Sequence, residues 1–155
     1  MNKTKIILIA AVLFCSTPSS SFAGGDGCHE MDAQACETFS LTNVERLKFN
    51  LPALSYLRAC SDMAQEQSDD MSQHHYFSHT RPATDARPGE SFMERARRFG
   101  LERGVGENIA MTRTAASALA MWMKSPGHRR NILNPSYTYL GVGHRNGLYT
   151  QSFGR

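Results

Sequence analysis

Three side chains from separate parts of the sequence could act together in a polar cleft: His79, Glu107 and His128. Neutral imidazole nitrogens and a carboxylate suit Zn²⁺ with an open position for water. Because histidine titrates near neutral pH, the same groups could instead transfer protons in catalysis. In a third interpretation, Glu107 joins the two histidines in a hydrogen-bond network with a structural role.

A serine three residues before His128 raises the possibility of a serine hydrolase. Ser125 and His128 stand on either side of a Pro-Gly pair, and no nucleophile elbow surrounds the serine. No acidic residue can be assigned to orient the histidine. Nucleophilic catalysis by Ser125 is therefore not expected.

Helical patterns account for the framework in the first half of the chain. From Ser40 the apolar spacing predicts a short helix that Pro52 ends. We predict a longer helix from an N-cap at Ser55 to about His75. Its apolar residues recur at spacings of three, four and seven, which predicts a buried face formed by Leu57, Cys60, Ala64 and Met71.

The second half of the chain combines helices with a hairpin. We predict a short amphipathic helix over residues 91–99 and an alanine-rich helix over residues 114–124. The apolar side of the first is formed by Phe92, Ala96 and Phe99. Residues 140–145 and 148–153 resemble strands, and Asn146-Gly147 between them predicts a tight hairpin turn. Helices with a small antiparallel sheet indicate an α+β layered domain.

The N-terminus has the three parts of a secretory signal. Lys3 and Lys5 precede an apolar run over residues 6–14 and a small, polar region that ends at Ala23. The apolar run is about half of the roughly 20 residues that span a bilayer, so a membrane anchor is not expected. We predict a signal peptide over residues 1–23, cleaved after Ala23, and a secreted or periplasmic mature protein without a transmembrane segment.

Composition and charge exclude several classes of protein. The chain is 41% hydrophobic and 20% charged, which is typical of a folded, water-soluble domain. Its net charge of +3 includes the two lysines of the signal, so the mature chain is nearly neutral. The balance of charges therefore indicates no nucleic-acid partner.

Export makes disulfides possible, and three cysteines remain after the predicted cleavage: Cys28, Cys36 and Cys60. The number is odd, so at least one stays free or pairs between chains. We expect Cys28 to pair with Cys36, because both lie in the polar stretch before the first helical pattern. Cys36 with Cys60 is the alternative. Residues 24–39 are expected to form an extended leader tied by the disulfide, followed by one domain over residues 40–155.

Five stretches appear in a recognisable order: YFSH at 76–79, GENIA at 106–110, WMKSPGHRRNIL at 122–133, LGVG at 140–143 and YTQSFG at 149–154. In this order the chain resembles the bacterial branch of the CAP superfamily, also called the SCP or pathogenesis-related-1 family. The resemblance covers about residues 41–154. It implies an α-β-α sandwich with a three-stranded antiparallel sheet between helix layers.

The resemblance also implies a shallow cavity lined by two histidines and two acidic residues. By position, His79 and His128 match the histidines, and Glu107 matches the acid of the GEN motif. The second acid of the family usually lies three residues after a tryptophan on the preceding helix. Here that position is Ser125, so one ligand or general acid of the usual cleft is replaced.

Members of the family are secreted, and their activities range from sterol or lipid binding to host interaction. We therefore predict a monomeric extracytoplasmic binding or interaction module for a lipid, cell-envelope or host ligand, with no required cofactor. Its ligand cleft would contain His79, Glu107, Ser125 and His128. The alternative is a metal-assisted hydrolase, such as a peptidase, in which His79 and His128 bind Zn²⁺ and Glu107 is the base or third ligand. An enzyme is the less favoured of the two.

Overall fold

The structure, a computed structural model, describes residues 27–155. The predicted signal peptide and the first residues of the leader lie outside this range, so cleavage after Ala23 stays a prediction. Within residues 27–155, no helix combines the length and the apolar character needed to cross a membrane.

The described residues form five α-helices and four strands, and the strands make one sheet. The helices are α1 (Ala33–Lys48), α2 (Arg58–His74), α3 (Phe92–Arg98), α4 (Ala115–Lys124) and α5 (Pro126–Ile132). The strands are β1 (Ser55–Tyr56), β2 (Gly106–Met111), β3 (Tyr139–Arg145) and β4 (Leu148–Gly154). The strand order is β1-β3-β4-β2, with the three longer strands antiparallel and β1 parallel to β3. The predicted α+β class is confirmed, with the short β1 as an additional strand.

The sheet lies between two layers of helices. Successive side chains of a strand point to opposite faces of the sheet, so each face contacts a different layer. One face packs against α1 and α4 through Leu140, Val142, Tyr149 and Phe153. On the other face α2 lies directly against β3. A Cβ on Gly141 would be 2.0 Å from the backbone of Ser61, and one on Gly143 would be 2.3 Å from that of Ala64. Glycine at these two positions therefore permits the close packing that completes the α-β-α sandwich.

The predicted extended leader over residues 24–39 is wrong from residue 33 onward. A short 3₁₀ turn at Cys28–Glu30 leads into α1, and the carboxylate of Asp32 caps this helix by accepting the Ala35 N–H at 2.8 Å. The helix is hard to recognise because its buried face is mostly small or polar, consisting of Ala35, Thr38, Phe39, Thr42 and Arg46.

The cysteine pairing agrees with the first of the two predictions. Cys28 and Cys36 form a disulfide that links the 3₁₀ turn to the first turns of α1. Among the described residues, Cys60 is the unpaired cysteine, and it is fully buried in α2. Burial raises the pKa of the Cys60 thiol to about 12.

One predicted boundary is wrong, and one helix was not predicted. Ser55 is not a helix N-cap, because its N–H donates to the Thr138 carbonyl at 2.9 Å and residues 55–56 form β1. Leu57 is the N-cap residue of α2 instead. The helix α4 ends at Lys124 as predicted, and Pro126 begins the additional helix α5, since proline fits the first turn of a helix. The helices predicted over residues 91–99 and 114–124 are present as α3 and α4, and the side chains of Ser91 and Thr114 cap their N-termini.

Candidate functional site

Glu107 is the centre of a buried polar group at the start of β2. Its side chain is 1% exposed, and its two carboxylate oxygens have different partners. Oε1 lies 2.8 Å from Nδ1 of His79, and Oε2 accepts a hydrogen bond from Nη2 of Arg95, also at 2.8 Å. Because both oxygens are engaged by groups of the protein, the carboxylate is held in one orientation.

Arg95 on α3 is a member of the site that the sequence interpretation missed. Its side chain is as buried as that of Glu107, and Nη2 also donates to the His79 carbonyl at 3.3 Å. Nε and Nη1 of Arg95 are buried and have no hydrogen-bond partner among the described residues. The positive charge of Arg95 is therefore balanced mainly by Glu107.

A signal for Arg95 is present in the sequence. Phe92, Arg95, Ala96 and Phe99 follow the spacing of three, four and seven residues that defines one helix face. A charged residue within an apolar stripe is rarely buried unless it is paired. The capping box of α3, formed by Ser91 and Glu94, fixes the start of the helix that carries it.

His79 presents its ring at the surface of the protein. It lies in the loop after α2, and its side chain is 46% exposed. A carboxylate accepts hydrogen bonds and does not donate them, so Nδ1 of His79 carries the proton shared with Glu107. While the ring is neutral, Nε2 is left as an acceptor for a ligand.

His128, on α5, is half-buried. Its pKa is lowered below the usual range of histidine, first by burial and second by repulsion from the charge of a protonated His79. The structure joins His79 to Glu107 directly, and it links the backbone of His128 to β2 through the side chain of Asn108.

A chain of side-chain amides holds α5 against β2. Nδ2 of Asn131 donates to the Glu107 carbonyl at 3.1 Å and to Oδ1 of Asn108 at 2.9 Å. Nδ2 of Asn108 donates to the His128 carbonyl at 3.1 Å and to Oε1 of Gln151 at 3.0 Å. These bonds join the backbone carbonyls of Glu107 and His128 to the same pair of asparagine amides, so they fix the backbone of His128 relative to that of Glu107.

Ser125 lies at the junction between α4 and α5. Its N–H donates to the Trp122 carbonyl at 3.1 Å, and its own carbonyl accepts from the Arg129 N–H at 2.9 Å. Within residues 27–155, no hydrogen bond joins the Ser125 hydroxyl to His128. The contacts of Ser125 are those of a helix junction and assign it no nucleophilic role.

The donor set does not fit the Zn²⁺ site considered from the sequence. Among residues 27–155, no three His, Cys, Asp or Glu side chains are grouped so that they could hold a metal ion. Arg95 neutralises Glu107, and Nδ1 of His79 is engaged by the same carboxylate. A metal would have to displace these contacts before Glu107 could become its ligand.

The fold is an α-β-α sandwich in which Arg95 and His79 together hold the carboxylate of Glu107. Residues 39–153 match the family model described as CAP, the cysteine-rich secretory protein family. The chain belongs to the CAP family. The family and the fold expected from the resemblance are both confirmed.

Relatives in bacteria share the domain. The chain is 38% identical over 117 residues to the uncharacterized protein YkwD of Bacillus subtilis, covering 73% of this chain and 44% of that protein. A crystal structure of an extracellular protein containing a SCP domain, from Bacillus anthracis, is 36% identical, with a TM-score of 0.73. It covers 81% of this chain and 41% of that chain. An outer surface protein of Borrelia burgdorferi is 18% identical, with a TM-score of 0.64 over 76% of this chain and 88% of that chain, and shares the fold. The chain thus spans less than half the length of the two Bacillus proteins.

Proposed function

We propose that this chain is an exported binding module whose ligand docks on the imidazoles of His79 and His128. The observation that carries the proposal is the double engagement of Glu107 by Arg95 and His79. A carboxylate held in this way can orient the His79 ring, but it is not free to act as a general base. The partly exposed rings then supply hydrogen bonds to a ligand.

The ligand class follows from the polarity of this cleft. Neutral imidazoles accept and donate single hydrogen bonds, so they suit hydroxyl, amide or carboxylate groups. Such groups occur in cell-envelope fragments, in lipid headgroups and in protein partners. The predicted export agrees with a ligand of this origin, and the similar proteins from Bacillus anthracis and Borrelia burgdorferi are described as extracellular and as an outer surface protein.

The binding test uses His79→Gln and His128→Gln with His29→Gln as the matched control. His29 has a 74% exposed side chain far along the sequence from the cleft motifs. Soluble peptidoglycan fragments and a dispersed lipid extract are titrated into each protein, with histidine ring resonances as the readout. We expect micromolar binding that the cleft variants weaken at least tenfold and the control leaves unchanged. Equal binding by all variants, or no binding by the wild type, would contradict the proposal.

Metal-assisted hydrolysis is the alternative, and a thermal-shift experiment separates it from binding. If His79 were a ligand, Zn²⁺ would raise the melting temperature of the wild type but not of His79→Ala. Since Arg95 already neutralises Glu107, we expect no increase that depends on His79. A stabilisation confined to the wild type would favour the hydrolase. Export is tested separately by mass spectrometry, which should find Gly24 at the N-terminus of the secreted protein.

A further inference from the structure

A concave surface lies at the junction between α4 and α5. This groove has a volume of about 570 Å³, and none of the cleft residues lines it. Met123 and Leu133 contribute to its apolar floor, and two prolines extend it. Lys124, Arg129 and Arg130 supply three positive charges, and no acidic residue is among its lining residues.

These three cations lack the carboxylate partners that several other arginines of the described residues have. Six others, Arg58, Arg81, Arg87, Arg95, Arg98 and Arg145, form ion pairs with carboxylates. Within residues 27–155, the side chains of Lys124, Arg129 and Arg130 have neither an ion pair nor a hydrogen bond. Like charges gathered in one place without counter-charges repel one another, and an anion would relieve that repulsion.

An exposed aromatic ring borders the same cations. The guanidinium carbon of Arg129 lies 4.9 Å from the ring centroid of Phe49, which is 44% exposed. An exposed aromatic beside basic residues is typical of surfaces that contact the interface of a bilayer. The near-neutral charge of the predicted mature chain gives no sign of this surface, because acidic residues elsewhere offset its cations.

We propose that this groove binds the headgroup of an anionic phospholipid. The three cations meet the phosphate, and the floor of Met123 and Leu133 covers the glycerol and the first methylenes. A free phosphate ion would leave the apolar floor unused. The inference goes beyond the proposed function, because either site can fail while the other is retained.

The experiment measures binding of the full chain to lipid vesicles by co-sedimentation. Vesicles of phosphatidylglycerol with phosphatidylcholine are compared with phosphatidylcholine alone. The groove variant replaces Lys124, Arg129 and Arg130 with Gln. Since each basic residue near an anionic surface strengthens partitioning about fivefold, we expect the groove variant to bind the anionic vesicles about a hundredfold more weakly. The wild type should bind phosphatidylcholine vesicles no better than this variant does.

A matched control carries the same change in net charge away from the groove. Arg97, Arg103 and Arg113 are exposed, line no part of the groove and are replaced with Gln together. We expect this control to bind within about threefold of the wild type. Met123→Gln keeps the charge but makes the floor polar, and it should weaken binding severalfold.

Several results would overturn the inference. If both triple variants lost vesicle binding equally, only the net charge of the protein would matter. If Met123→Gln bound as well as the wild type, the apolar floor would not contribute to binding. Saturable binding of inorganic phosphate as tight as that of vesicles would identify a free-anion site. Absence of wild-type binding to phosphatidylglycerol vesicles would end the proposal. Circular dichroism of each variant confirms that it is folded.

Discussion

Glu107→Gln tests whether the pair between Arg95 and Glu107 holds the cleft together. The substitution keeps the volume of the side chain and removes its charge. Arg95, with a 1% exposed side chain, would then keep a buried positive charge without its carboxylate. Removing one partner of a buried ion pair costs about 3–5 kcal/mol. Because Nε and Nη1 of Arg95 have no other partner among the described residues, we expect a loss of about 4 kcal/mol in the free energy of unfolding.

His79 provides the contrast, since it contacts the same carboxylate from the exposed side. Ion pairs that reach solvent contribute at most about 1 kcal/mol, so His79→Gln should cost no more than that. The double variant Arg95→Met with Glu107→Gln removes both charges. We expect it to be more stable than Glu107→Gln alone, because no charge is left buried without a partner.

Urea unfolding measures these differences, with fluorescence of the buried Trp122 as the signal. This residue is the single tryptophan of the chain, and its Nε1 donates to the Ile109 carbonyl at 2.9 Å in the core. A loss below about 1 kcal/mol for Glu107→Gln would refute the reasoning. So would equal losses for Glu107→Gln and His79→Gln, or a double variant less stable than both single ones.

Three further predictions concern the framework. Replacing Cys28 and Cys36 with Ser opens a loop of eight residues, so the free energy of unfolding should fall by about 2.5 kcal/mol on the chain-entropy account. Gly141→Ala places a methyl group against the backbone of α2, and we expect a loss of about 3 kcal/mol or more. Gly127→Ala should be neutral, because a Cβ there would meet only the flexible end of the Arg130 side chain at 3.9 Å. The folded-state pKa of His128 is lowered, mainly by burial, so the unfolded chain binds a proton more readily. Its contribution to the free energy of unfolding is therefore complete above about pH 6.5, where the ring is neutral, and is lost as the pH falls through the lower folded pKa. In urea titrations at decreasing pH, His128→Gln should lose less stability than the wild type.

Each framework prediction has a clear contrary result. Equal urea midpoints with and without the Cys28–Cys36 bond would contradict the first. Equal stability of Gly141→Ala and Gly127→Ala would show that α2 can move away from β3 without cost. An unchanged slope of stability against pH in His128→Gln would assign the titration to other groups.

Features with local causes could be predicted from the sequence. The turn at Asn146-Gly147 joins β3 and β4 as predicted, because positive φ at both residues suits a tight hairpin. Ser91 and Thr114 cap their helices through their own side chains, each of which accepts a hydrogen bond from the backbone N–H three residues later. The order of the family motifs then identified His79, Glu107 and His128.

Features that depend on distant partners could not be predicted in this way. The two-residue strand β1 exists because Ser55 and Tyr56 pair with Tyr139 and Leu140, more than eighty residues later. Pro126 was ambiguous in principle, since proline both ends one helix and suits the first turn of the next. Arg95 carried a local signal, but its carboxylate partner is known only once α3 and β2 are packed together.

The buried thiol of Cys60 has a consequence for oxidative folding of the chain. Thiol-disulfide exchange requires a thiolate that can reach the disulfide. With a pKa of about 12, only about one Cys60 in 10⁵ is ionised at pH 7, and it is fully buried against β4. The native state is therefore protected against reshuffling of the Cys28–Cys36 bond despite its spare cysteine. Mispairing is restricted to chains in which α2 has not yet packed on the sheet, so a non-native disulfide would mark a failure of folding rather than damage to the finished protein.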